Sequence, residues 1–519
     1  MIVVEDAKAL ALKLNQPDRV LNCIPSAKTI NMQGREIVVT PHKVDEVTIL
    51  RNLGINAPSP IMYYYKWAGM YEPYQHQKIT SAFLTMNRRG LVLNEIGTGK
   101  TQSALWAADY LMESKTIQRC LIISPLSTLE RVWDDAIFMN FPHRKSVILH
   151  GTASKRLRLL QTNADFFIVN HDGFNIIADT AKDIFDLLIV DEAAVYRTPS
   201  TKRFRILRKW IEHHPSMRLW LMTGTPTPNE PTDAWALSKL VGSPYVTKTY
   251  TAFKELVMMK VGQWKWLPRP ESIEIVKKTL QPAIRYARDE CFDLPPTVYQ
   301  TRKADLTPEQ AKHYKAMIRT FVTELSTEGT ITAVNEAVKM QKLIQIACGV
   351  AYGDDGRHIE LACTPRVNLV KEIIEEVGNK VIIFVPLTGT LKMLDKELSK
   401  HWSVDIVNGE VSSSKRSTIF NNFQNAVDPH VLIAHPATMA HGLTLTAADT
   451  IIWYGPVTSN EQYVQANGRI ERIGKKYSSN VIHIESTDLE YKMYERLRKK
   501  QRLQGLLLDL IQTENKEDN

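Results

Sequence analysis

Along this 519-residue chain, short aliphatic runs recur between longer stretches whose apolar residues fall at helical spacing. From about Tyr71 to Val241 the runs are 91–93, 121–124, 166–169, 187–190 and 219–222. Runs this short and this uniformly apolar predict buried strands, and their alternation with helical segments predicts a parallel sheet with crossover helices. After position 242 the rhythm breaks into a stretch rich in Trp, Lys and Pro, ending in the Leu-Pro-Pro of 294–296. A long helical stretch from about Pro308 to Cys348 follows. The alternation then resumes at 381–385, 404–407, 431–434, 451–454 and 481–484. The expected fold class is α/β: two tandem RecA-like domains plus a small N-terminal α+β unit. Expected boundaries are 1–70 for that accessory unit, with apolar runs at 37–39 and 47–50. They are 71–245 for the first domain, 246–300 for a connecting segment and 301–500 for the second domain. A helix end and tail occupy 501–519.

The sharpest chemistry sits just after the run at 91–93, in Asn94-Glu-Ile-Gly-Thr-Gly-Lys-Thr. Strand, glycine-rich turn and helix start together make a phosphate cradle. Gly97, Thr98 and Gly99 offer backbone amides, and the helix N-terminus adds partial positive charge. Lys100 can reach the β- and γ-phosphates, and the Thr101 hydroxyl can ligate magnesium. The strict pattern has Gly where this chain has Asn94. At 186–194 the run 187–190 delivers Asp191 and Glu192 to the carboxyl end of a strand. In a nucleotide-hydrolysing site the first acid holds magnesium and the second polarises the attacking water. A strand ending in two solvated acids is the plain alternative; the cradle upstream favours the catalytic pair. The second domain has no phosphate loop of its own. Its Gln465-Ala-Asn-Gly-Arg-Ile-Glu-Arg-Ile-Gly474 stretch carries Arg469 and Arg472 on one helical face, suited to act as arginine fingers.

Composition narrows the class without changing this picture. Hydrophobic residues make up 44% and charged residues 23%, as in an ordinary globular protein. No run has the length of a membrane span, and the N-terminus lacks a basic-then-apolar signal pattern, so a cytoplasmic location in a prokaryote or viral host is expected. Five scattered cysteines without a C-x-x-C pair exclude a zinc site or disulfide framework. The net charge of +9 is mild, but Lys and Arg cluster at 155–158, 202–209 and 496–502. Clusters of this kind fit a polyanion partner or solvated helix surface.

Taken in order, these stretches resemble the Swi/Snf-type ATPases of helicase superfamily two, in a compact microbial or phage form, from about Tyr71 to Lys500. Tyr71-Glu-Pro-Tyr-Gln75 is similar to the adenine-reading segment, and Asn94–Thr101 to motif I. Ser124-Pro-Leu-Ser-Thr-Leu-Glu-Arg-Val-Trp133 resembles motif Ia, and Asp191–Ala194 motif II. Thr223-Gly-Thr-Pro-Thr-Pro-Asn229 with Trp235 resembles motif III, Gly442-Leu-Thr-Leu445 motif V, and Gln465–Gly474 motif VI. The resemblance implies ATP and Mg2+ as cofactors, with Gln75 at the adenine. It implies a DNA-stimulated ATPase that moves along duplex DNA without reading sequence, as a monomer and without a membrane. Thr128, Asn170 and Thr444 are the implied strand contacts. Ala194 stands where the family usually has His, a side chain that helps to connect the ATP site to motif III. Lys475 stands where it often has Gln, and the linker is too short for the large insertions of eukaryotic remodellers. A strand-separating helicase and a nucleotide-gated DNA clamp without turnover remain as other readings. A motor subunit of a restriction complex is a further one, although this chain carries no nuclease signature.

Overall fold

A computed structural model describes the chain except residues 33, 229, 262–265, 293–294, 329–332, 353–357, 440–444, 471–477 and 499–519. Two compact units emerge, Met1–Cys291 and Phe292–Leu503.

In the first unit a seven-stranded sheet runs, in spatial order, Ala283–Ile284, Arg89–Val92, Arg218–Met222, Leu187–Val190, Cys120–Ser124, Phe166–Asn170 and Ser146–Ile148. All pairings are parallel. Parallel strands are covered on both faces, which explains why the sequence reads as unbroken aliphatic runs rather than alternation. Successive residues still point opposite ways. Leu91, Leu121, Leu188 and Leu219 pack into one core with the helices Lys202–Glu212 and Ala234–Val241. Val92, Ile122, Ile189 and Trp220 pack into the other with the helix Lys100–Glu113.

The N-terminal part is a four-stranded antiparallel sheet, Ile2–Val4, Ala9–Leu12, Arg35–Pro41 and Lys28–Met32 in spatial order. The apolar run at 47–50 is helical, within Val44–Asn52: Val44, Val47 and Leu50 recur every third residue and are all buried. Most of the segment expected to connect the two domains, up to Cys291, folds into the first unit instead. It supplies the helices Tyr250–Val257 and Ser272–Thr279 and the edge strand Ala283–Ile284, which pairs with Leu91 and Val92. Phe253, Val257, Val276, Leu280 and Ala283 join the same core as Leu91.

The second unit holds a six-stranded parallel sheet, in spatial order Thr297–Lys303, Ser479–Glu485, Ala448–Trp453, Lys380–Phe384, Val431–Ala434 and Val404–Val407. The long helical stretch ahead of it is two helices, Pro308–Glu328 and Ala333–Ala347.

Candidate active site

Parallel, in-register strands bring their carboxyl ends to one side of a sheet, where open α/β folds place ligand sites. Val92, Val190 and Met222 end three adjacent strands, and the residues after them are the phosphate loop, the Asp191-Glu192 pair and Thr223. Packing therefore assembles here what the sequence holds about a hundred residues apart.

The loop turns through two left-handed glycines, Gly97 at φ +88° and Gly99 at φ +79°. A Cβ on Gly99 would also displace the Gln77 side-chain amide, but it is the left-handed backbone that reserves this position for glycine. Lys100 and Thr101 open the helix Lys100–Glu113. The Lys100 ammonium donates to the carbonyls of Asn94 at 2.8 Å and Glu95 at 2.9 Å. Behind the loop, His76 Nε2 donates to the Thr98 carbonyl at 2.9 Å and Gln77 Nε2 to the same oxygen at 3.4 Å. Gln75, by contrast, lies exposed at the start of its helix, Gln75–Met86. At this helix start the side chains that touch the loop are those of its two successors, a distinction that a helix N-terminus hides when read in one dimension.

Asp191 and Glu192 differ in setting. Asp191 accepts from the Trp133 indole N–H at 3.1 Å and from the Glu192 amide at 3.0 Å. Burial pushes its carboxyl above the usual aspartate range, against the opposing Trp133 hydrogen bond and Lys100 charge. Glu192 adopts a left-handed backbone at φ +49°, rare for a residue with a side chain, and accepts from the Thr223 hydroxyl at 3.1 Å. Strain of this kind concentrates where geometry serves chemistry. Thr223 Oγ1 in turn accepts from the Thr225 amide at 3.1 Å. Ala194 is fully buried and carries no polar side-chain atom, and a hydrogen bond from Thr223 to Glu192 joins the two segments. Sequence reasoning flagged the missing His but not this direct bond; the signal was the Thr that opens the Thr-Gly-Thr-Pro segment.

The strand-contact candidates separate. Thr128 is 2% exposed and its hydroxyl donates to the Pro125 carbonyl at 2.9 Å, so it caps its own turn. Asn170 is half-buried, and its Oδ1 accepts from Arg156 at 3.2 Å. In the second unit Arg469 is buried just past the helix Asn460–Asn467, its carbonyl accepting from the Leu445 amide at 3.0 Å. Arg472 and Thr444 lie outside the described residues.

This arrangement suits a nucleoside triphosphate. Amides on a left-handed glycine turn receive phosphate oxygens, and the oxygen ligands of Thr101 and Asp191 match a hard divalent cation. The SNF2-related domain family matches residues 63–350, more than half of the chain, and the helicase conserved C-terminal domain matches 365–474. The chain belongs to the SNF2-related family. It is accordingly an ATP-hydrolysing enzyme of the helicase type. Protein p41 of Acyrthosiphon pisum secondary endosymbiont phage 1 is 28% identical over 476 residues, covering 85% of this chain and 98% of that protein. Nuclear protein STH1/NPS1 of Saccharomyces cerevisiae is 26% identical over 472 residues, 82% of this chain and 34% of its own length. An ATP-dependent helicase of Mycoplasma genitalium is 25% identical over 412 residues, 76% of this chain and 38% of its own. The chain thus spans little more than a third of these two cellular relatives. Among solved structures, the Sulfolobus solfataricus SWI2/SNF2 ATPase core in complex with dsDNA is similar over 85% of this chain and 93% of that one, at 21% identity and a TM-score of 0.40. No helix among the described residues of this SNF2-related chain is long and apolar enough to cross a membrane.

Proposed function

We propose that this SNF2-related ATPase is a translocase on duplex DNA, converting ATP hydrolysis into movement that remodels DNA or displaces bound protein. The observation that carries this reading is the convergence of Lys100, Asp191, Glu192 and Thr223 at adjacent strand ends. In it, the glycine turn and Lys100 hold the phosphates while Thr101 and Asp191 hold magnesium. When bound, that ion would supply positive charge that offsets the charge of the phosphates. Glu192, aimed by Thr223, takes the proton of the attacking water. Arg469 and Arg472 are the fingers of the second unit, which stabilise charge on the transferring phosphoryl group. Gln75 sits at the start of the helix whose next two residues touch the loop, a position that serves the adenine edge.

Charge favours DNA as the track. The helix Lys202–Glu212 exposes Lys202, Arg205 and Lys209, and the helix Ala153–Leu159 exposes Lys155 and Arg158. Motors of this kind grip phosphates and not bases, so affinity follows counterion release, with about 0.9 in logarithmic salt slope per phosphate contact on B-DNA. ATPase rates without nucleic acid and with single strand, duplex, fork and RNA test the proposal. Stimulation by duplex, steeply weakened by salt and indifferent to sequence, is expected. Stimulation confined to forks with strand separation would favour a helicase, and a rate indifferent to every nucleic acid would overturn the DNA reading.

A further inference from the structure

The two residues that open the phosphate loop, Asn94 and Glu95, are both held by a segment about 190 residues away in sequence. Asn94 Oδ1 accepts from the Tyr286 amide at 3.0 Å, and its Nδ2 donates to Thr80 Oγ1 at 3.0 Å. The Glu95 amide donates to the Tyr286 carbonyl at 3.0 Å. Glu95 Oε1 accepts from Arg285 Nη2 at 2.7 Å and Oε2 from the Arg288 amide at 2.9 Å. Arg285 is 1% exposed, and it donates also to the Tyr286 carbonyl. Burial alone would raise the Glu95 carboxyl. The Arg285 charge and the Arg288 N–H outweigh it and hold the group below the usual glutamate range. At the far end of the loop the Tyr286 ring lies 5.7 Å from the ring of His76, which bonds Thr98.

The segment 285–288 thus touches the loop at its first residues and, through His76, at its last. It follows directly on the edge strand Ala283–Ile284, and the first unit ends three residues beyond it, at Cys291. The carbonyls of Asn94 and Glu95 that face Lys100 belong to the two peptides whose side chains this segment fixes. Asn94, the departure from the strict loop pattern, has a role that Gly could not fill.

We propose that Arg285 is a positioning residue of the ATP site: by locking Glu95 to the segment that follows the last strand of the first unit, next to the Tyr286 amide that holds Asn94, it sets where the loop carbonyls and Lys100 stand. The assignment rests on Lys100 and the glycine turn holding the phosphates. Arg285 does not touch the nucleotide; it acts through the loop. Misplacement of such a loop by an ångström can cost up to about 10²-fold in kcat/KM.

The test is steady-state ATPase kinetics and equilibrium binding of a fluorescent ATP analogue on the full chain. The variants are Arg285→Ala, Arg285→Lys, Glu95→Gln and, as a probe of the site itself, Lys100→Ala, each with a melting curve. Arg285→Ala is expected to raise KM and the analogue's Kd about tenfold or more, with a smaller fall in kcat. Arg285→Lys, which keeps the charge but not the planar fork, should recover part of that loss. Where Arg285→Ala does not fold, Glu95→Gln and Arg285→Lys carry the same test, with rises of a few-fold expected in both. Variants that melt early but keep wild-type KM and Kd would reduce Arg285 to a structural role and overturn the proposal, as would unchanged kinetics throughout. Wild-type hydrolysis by Lys100→Ala would instead remove the reading of the site on which it rests.

Discussion

The Glu192 carboxylate accepts from Thr223 out of a left-handed backbone, so that hydroxyl helps to aim the proposed base. Thr223→Val keeps the shape and removes the donor. It should lower kcat by about tenfold or more while ATP affinity is kept, whereas Glu192→Gln should lose on the order of 10²–10⁴ in rate and accumulate the ATP complex. Single-turnover rates beside nucleotide titrations check both, and a Thr223→Val enzyme with wild-type kcat would take Thr223 out of the base-aiming role. Ala194 poses the complementary question. Its side chain is fully buried, so Ala194→His must fit an imidazole where a methyl group is packed; overpacking of this kind costs about 1–3 kcal/mol. Basal and DNA-stimulated ATPase should therefore fall together. A change in the stimulation ratio alone would show that the imidazole rejoins motifs II and III. At this scale the placement of Lys100, Thr101, Asp191 and Glu192 beside adjacent strand ends was legible, because they fall in contiguous motifs that directly follow aliphatic runs. Gln77, His76 and Arg285 were not, since only the folded chain tells which polar residue at a helix start or after an edge strand faces the loop.

Most strands of both sheets could be read from their aliphatic runs, because burial on both faces leaves few polar positions to confuse the pattern. Those that escaped are edges. Ser146–Ile148 and Ala283–Ile284 are short, and Thr297–Lys303 alternates Thr, Val, Tyr, Gln, Thr, Arg and Lys along a half-covered rim. Such segments become strands through the neighbour they pair with, which local sequence does not name. The inner elements carry a pH signature. His171, bonded to Tyr196 at the start of the helix His171–Ile177, is pushed down to about 4, chiefly by burial. On the strand Ser479–Glu485, His483 is pushed down to about 3 by burial and then by the Arg498 charge. Both pKa values are depressed on folding, so between them and the ordinary value near 6.5 the unfolded chain binds more protons. Stability should fall as pH drops below about 6.5, each group adding up to about 1.4 kcal/mol per pH unit. Melting curves from pH 7.5 to 5 should show this slope, and His171→Phe should flatten it; an unchanged slope would mean that His171 titrates alike in both states.

At the scale of the whole chain, one unit carries the phosphate loop and the acids, and the other carries the candidate fingers. Arg469→Ala and Arg472→Ala should cut kcat more than ATP affinity, with at least one of them near the lower end of the roughly 10³–10⁵ range for such fingers. Two variants that hydrolyse ATP normally would end the assignment of fingers to the second unit. The edge strand Ala283–Ile284 bears on where the first unit can be cut. It shields Arg89–Val92, the strand that delivers the loop, and it comes last in that unit. During synthesis this strand stays an open border until nearly two hundred further residues have been made, the kind of distant closure that slows folding and invites stray pairing. A fragment ending at 245, where the composition shift suggests a boundary, should expose that border and self-associate. One ending at 291 should be monodisperse by light scattering, so the place to divide this molecule lies some forty-six residues past the point at which its sequence invites the cut.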